Sequence, residues 1–118
     1  MSLITSKTYG GGNDSWLGSR HGVAQARTGT LDATKFTDAV DGVVKSGTPV
    51  IADGDKLAPA GATAPVGFVI GDHSVKDGDA VVPVLWHGLI KTQNLPVDTF
   101  TVPAEPGPFT YLGGNKGA

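Results

Sequence analysis

The side chains best suited to acid–base or metal chemistry are three histidines, His21, His73 and His87, and three clustered aspartates, Asp72, Asp77 and Asp79. Neither set has a spacing that organises a reaction. No His-x-x-x-His or His-Glu pair occurs, so a metal helix is not indicated. His87 falls in the most apolar stretch of the chain and reads as a packed or interface histidine, while His73 falls in a turn and reads as exposed. The aspartates lack the alternating ligands and distal Glu of a calcium loop, and Asp77-Gly78 is explained by turn chemistry alone. The serines, at positions 2, 6, 15, 19, 46 and 74, never occur as Gly-x-Ser-x-Gly. Gly10-Gly11-Gly12 is followed by no Gly-Lys-Ser/Thr, which a phosphate loop requires. The chain has no cysteine, which removes thiol catalysis and disulfides. The reading is of a non-enzyme with no catalytic residue, no metal site and no cofactor.

The elements that would position any site are short. Eighteen glycines and eight prolines in 118 residues, with only 17% charged residues, favour many strands joined by turns in one domain. No apolar run is long enough to span a membrane. The first residues lack an apolar signal-peptide core, so synthesis in a cytoplasm is expected.

Residues 1–29 read as an extended N-terminal arm and residues 30–118 as a β-rich body. The arm has no proline, a Gly10-Gly11-Gly12 hinge and a few scattered apolar residues with no strand or helix period. Its charges are Lys7, Arg20 and Arg27 against Asp14, or +2, which leaves −4 for the body out of a total of −2. An acidic body is a poor surface for nucleic acid.

Within the body, Asp41-Gly42, Ser46-Gly47 and Asp53-Gly54 mark turns, and residues 48–52 and 66–70 read as strands. Residues 57–65 read as a loop. Asp77-Gly78 predicts a hairpin into one long strand over residues 80–90, apolar on both faces. Pro83 places that strand at an edge or a bulge. An apolar edge needs a cover, which makes Val84, Trp86, His87 and Leu89 the candidate subunit interface. Residues 99–102 are strand-like, residues 109–112 form a last docked apolar patch, and the tail from Gly113 is expected to fray.

The run Asp41-Gly42-Val43-Val44-Lys45-Ser46-Gly47-Thr48-Pro49-Val50 has a sequel. Gly67-Phe68-Val69-Ile70, Asp77-Gly78, His87-Gly88-Leu89-Ile90 and Leu95-Pro96 follow in order. This order resembles the head decoration proteins of tailed bacteriophages, the family of the lambda capsid-stabilising protein. The match covers roughly residues 31–96. The resemblance implies a mostly β body of the β-clip or β-tulip type with little helix. It also implies a homotrimer on the outside of the virion, assembled in the host cytoplasm. Such trimers sit at three-fold and quasi-three-fold positions of the expanded head and hold the major capsid protein shell against packaged DNA. No nucleic acid or membrane partner is implied.

In that family the N-terminal arm adds to strands of the capsid protein. Here the role would fall on Leu3, Ile4, Tyr9, Trp16, Leu17, Arg20 and Val23, with Trp16 and Arg20 as hot spots. Burial of so few apolar residues cannot offset the entropy of ordering the arm, so main-chain pairing must contribute. Two other classes remain open on the residues alone. One is a trimeric enzyme of nucleotide-hydrolase type on a β-clip scaffold. The other is a sugar-binding virion module that stacks on Trp16, Trp86 and Tyr111.

Overall fold

A computed structural model describes residues 14–18, 26–37, 39–61, 63–105 and 107–117. The protein is mostly β and folds as one domain, as its composition predicts. Among the described residues nine strands follow in order: β1 (Arg27–Leu31), β2 (Val43–Val44), β3 (Pro49–Asp53), β4 (Lys56–Pro59), β5 (Gly67–Val69), β6 (His73–Ser74), β7 (Ala80–Leu85), β8 (Gly88–Lys91) and β9 (Phe109–Leu112). Five of them close into a barrel in the order β1-β4-β3-β5-β7. Two small sheets, β2-β6 and the parallel pair β8-β9, flank it. Among the described residues, helix is limited to 3-10 turns at Val40–Gly42 and Thr92–Asn94.

The strand alternation sorts side chains into two cores. Leu31, Val50, Val69, Val82 and Val84 pack together with Phe36, Val44 and Val75 as the barrel core. The alternate residues Val81 and Pro83 of β7 face outward and are exposed. Phe68 and Leu85, cross-strand partners on β5 and β7, join a second core with Trp16, Leu17, Ile90, Leu95, Phe100 and Phe109. Phe68 is its hub: Phe109 meets it edge-on at 5.0 Å and Trp16 lies at 5.9 Å, aromatic geometries that add to simple burial.

Several expectations are corrected. The 57–65 segment begins as β4, because Gly54 (φ +66°) starts a two-residue hairpin turn that pairs Asp53 with Lys56. Between β5 and β7 the chain makes an excursion through β6, which pairs with β2, so Asp77-Gly78 turns the chain without closing a two-residue hairpin. The long 80–90 strand breaks at Trp86-His87, where Gly88 takes φ +140°. Residues 99–102 contribute one bridge, Phe100 to Lys116.

Pro83 does not mark an edge, since β7 pairs with β1 on one side and β5 on the other. Its missing amide falls opposite Ile70, just past the last residue of β5. The Ile70 amide donates to the Pro83 carbonyl at 3.0 Å, but Pro83 cannot return the bond. His73 replaces the lost donor: its Nε2 lies 2.8 Å from the Ile70 carbonyl oxygen. A carbonyl only accepts, so the ring carries its proton on Nε2. His73 is half-buried and engaged rather than a free turn residue.

The C-terminal tail is fastened rather than frayed. The Lys116 Nζ donates to the Leu95 carbonyl at 2.6 Å, and the Asn115 side chain accepts from the Val102 amide at 2.8 Å. The Gln93 side-chain amide donates to the carbonyls of Gly113 and Asn115.

Candidate interaction surface

Residues 14–18, read from sequence as part of an arm, are built into the body. Trp16 is fully buried and Leu17 nearly so. The Trp16 indole Nε1 donates to the Ser46 hydroxyl at 3.1 Å, and the Gly71 amide donates to the same oxygen at 3.0 Å. That hydroxyl in turn donates to Asp14 Oδ1 at 2.7 Å. One donor and two acceptor sites is the full capacity of a serine hydroxyl, so Ser46 is saturated. Its own amide donates to Asp72 Oδ1 at 2.8 Å. Gly47 sits against the indole, where a Cβ would lie 2.7 Å from Trp16 Cδ1, and its φ of +95° suits glycine.

The backbone fixes the same segment to β8. The Lys91 amide donates to the Trp16 carbonyl at 2.7 Å, the Gly18 amide to the Leu89 carbonyl at 2.9 Å, and Leu17 bridges Ile90 antiparallel. The Asn94 side chain donates to the Ser15 carbonyl at 2.9 Å. Further on, Arg27, Thr28 and Gly29 belong to β1 and pair with Val84, Pro83 and Val82. The arm boundary at residue 29 is therefore corrected. The physical reason is that Trp16 has the largest apolar surface in the segment, and the body holds both a cavity and a hydrogen-bond acceptor for it.

Of the residues assigned to capsid contact, Trp16 and Leu17 are core residues and present no free surface. Leu3, Ile4, Tyr9, Arg20 and Val23 lie outside the described residues. Among the interface candidates, Val84 is buried in its own barrel core and is withdrawn as a surface contact, because its strand position points inward. Trp86, His87 and Leu89 are half-buried. The Arg27 guanidinium stacks over the Trp86 ring at 4.1 Å, a cation–π contact, and Trp86 meets His87 edge-on at 4.4 Å. Leu89 is covered on one side by Gly18, where a Cβ would come within 2.8 Å of Leu89 Cβ.

Of the clustered aspartates, Asp72 and Asp79 diverge. Asp72 accepts from Ser46. Asp79 joins the barrel end, accepting from the Ala33 amide at 2.8 Å and pairing with Lys56 Nζ at 2.7 Å. Those contacts, led by Lys56, hold its carboxyl below the usual carboxylate range, and Asp79 in turn pushes the Lys56 ammonium up. Asp32, held by the Thr34 hydroxyl, is also lowered. Among the described residues no three of His, Asp and Glu gather as a metal-binding group.

Where the two cores meet, a groove of about 430 Å³ opens to the surface. Phe36, Val44, Pro49 and Val97 line it, with Lys45 and Asp98 also along its lining. Sequence reading missed it, since its walls come from residues about fifty positions apart that share no motif.

Comparisons with protein-family models, with curated proteins and with solved structures find no match.

Proposed function

We propose that the protein is a capsid decoration protein: a homotrimer that binds the outer surface of an expanded phage head and holds neighbouring capsid subunits together. The observation that carries this reading is the ordered motif run over residues 31–96, which forms the turns and strands of one β body. Asp41-Gly42 is a left-handed turn (φ +57° and +71°), Ser46-Gly47 receives Trp16, and Gly67–Val69 is a fully buried strand. In support, the residues before Asp14 form a proline-free stretch tethered to a body that is pinned at Trp16.

The capsid-binding arm in this reading is residues 2–13, shorter than sequence alone suggests. Its anchors are Leu3, Ile4 and Tyr9, and its contribution comes by strand addition, in which main-chain hydrogen bonds supply what sparse apolar contacts do not. Three arms on one trimer multiply a weak single attachment.

The test deletes residues 2–13 and leaves the Asp14–Gly18 anchor intact. The deletion protein is expected to keep its trimeric mass in light scattering and to lose co-sedimentation with expanded heads. Undiminished co-sedimentation would remove the arm from this role, and a monomeric full-length protein would remove the trimer.

A further inference from the structure

Three Asp-Gly pairs, Asp41-Gly42, Asp53-Gly54 and Asp77-Gly78, lie at bends of the chain. In each, the glycine has no Cβ to keep its own amide nitrogen from the carboxyl carbon of the preceding aspartate. That approach turns the planar peptide unit between the two residues, so whatever bonds the unit in place opposes it. The fold treats the three units differently.

Asp41-Gly42 is held. The Gly42 amide donates to the Ala39 carbonyl at 3.1 Å, and the Gly42 carbonyl accepts from the Val75 amide at 2.8 Å. Gly42 is also packed on Lys76, where a Cβ would lie 3.0 Å from Lys76 Cβ. Asp53-Gly54 is held through Asp53, which pairs with Lys56 in the β3–β4 ladder and forms an ion pair with Lys35 at 3.7 Å. Asp77-Gly78 lies between β6 and β7, outside both strands. Its anchor is the Gly78 amide on the Val75 carbonyl at 3.4 Å, beyond the usual range for such a bond. Both residues are exposed, and nothing lies within 4 Å of the position a Gly78 Cβ would take. The Asp77 carboxylate has no partner among the described residues.

We propose that Asp77 is the residue at which the folded protein converts aspartate to isoaspartate. The Gly78 amide nitrogen attacks the Asp77 carboxyl carbon. The carboxyl hydroxyl leaves with the amide proton as water, which closes a succinimide ring. Water then adds to one of the two ring carbonyls. Opening at the original main-chain carbonyl breaks the old peptide bond, and the chain then runs through the Asp77 side chain, one methylene longer. Opening at the other carbonyl restores aspartate. No oxidant or cofactor is needed, and the net change in mass is zero. The longer link falls in the exposed connection, clear of the β6 and β7 pairings.

The full chain is held in neutral buffer at physiological temperature and then digested after lysine. Digestion places the three sites on separate peptides, residues 36–45, 46–56 and 77–91. Isoaspartate is measured on each by chromatographic retention and electron-transfer fragmentation. Peptide 77–91 is expected to lead each of the others by roughly fivefold or more, the factor that one ordinary hydrogen bond is worth. In urea, where the fold is lost, the three should convert alike. Asp77→Glu keeps the charge but enlarges the ring to be closed, and should silence the leading signal alone. Equal conversion of the three in the folded protein, or a lead for Asp41 or Asp53, overturns the proposal. So does a lead for Asp77 that persists unchanged in urea, since sequence rather than fold would then set it. Capsid binding plays no part in this readout, so either proposal can fail alone.

Discussion

The indole nitrogen of Trp16 donates to the hydroxyl of Ser46 across thirty residues of chain. That bond, with the Asp14 and Gly71 contacts on the same oxygen, joins a segment of no periodicity to the centre of the second core. It makes residues 14–18 a structural part of the body.

The anchor should behave as core. Trp16→Ala removes a fully buried ring and should destabilise the fold by about 3–5 kcal/mol, read as the urea midpoint with unchanged slope. Gly47→Ala, which drives a Cβ into the same ring from a left-handed backbone, should also lower the midpoint. A wild-type midpoint in either variant would contradict the packing described.

Ser46→Ala leaves the Trp16 and Gly71 donors without their acceptor. Unsatisfied buried groups cost about 1–3 kcal/mol. A double-mutant cycle with Trp16→Phe should show coupling, because the second substitution removes the donor that the first orphans. Additive losses would mean the bond contributes nothing.

Truncation should be sharply position-dependent. Removing residues 2–13 is expected to leave the thermal midpoint near that of the full chain. Removing residues 2–18 takes away Trp16, Leu17 and the backbone bonds to β8, and should unfold the protein or lower the midpoint by more than 10 °C on the order-of-magnitude scale for a domain of this size.

Tyr111 packs among Phe68, Phe100 and Phe109, and its buried hydroxyl has no hydrogen-bond partner among the described residues. Tyr111→Phe should therefore be neutral or stabilising by up to about 1 kcal/mol. Burial pushes the phenol up to about 12 from the usual 10.0. The unfolded chain loses its proton first, so stability falls as pH rises from about 10 towards about 12. Tyr111→Phe should remove that alkaline loss, as followed by urea midpoints and phenolate absorbance.

At the barrel end the sign is opposite. The Asp79 carboxyl is lowered by Lys56 and the Ala33 amide, so its contribution is present above the ordinary carboxylate range. It is lost as pH falls through the lowered value. The group is exposed, so the effect is small and screened by salt. Asp79→Asn should flatten the acid side of the stability profile at low ionic strength, and an unchanged profile would dissociate the ion pair from stability.

Much of the fold is legible in the sequence where chemistry is local. Asp41-Gly42, Ser46-Gly47 and Asp53-Gly54 bend the chain as glycine and aspartate turns do, and the apolar run at Gly67–Val69 is buried on every residue. Composition alone determined a single mostly β domain, because a chain so rich in glycine and proline cannot build long helices. Tertiary structure decided the rest through pairs distant in sequence. Barrel closure rests on one parallel contact, Leu31 with Leu57, and Pro83 sits inside a sheet because His73 supplies the missing donor. Trp16 is core rather than arm because a cavity and an acceptor wait for it thirty residues away. A lone aromatic in an aperiodic stretch carries no local sign of whether its partner lies within the same chain or on another.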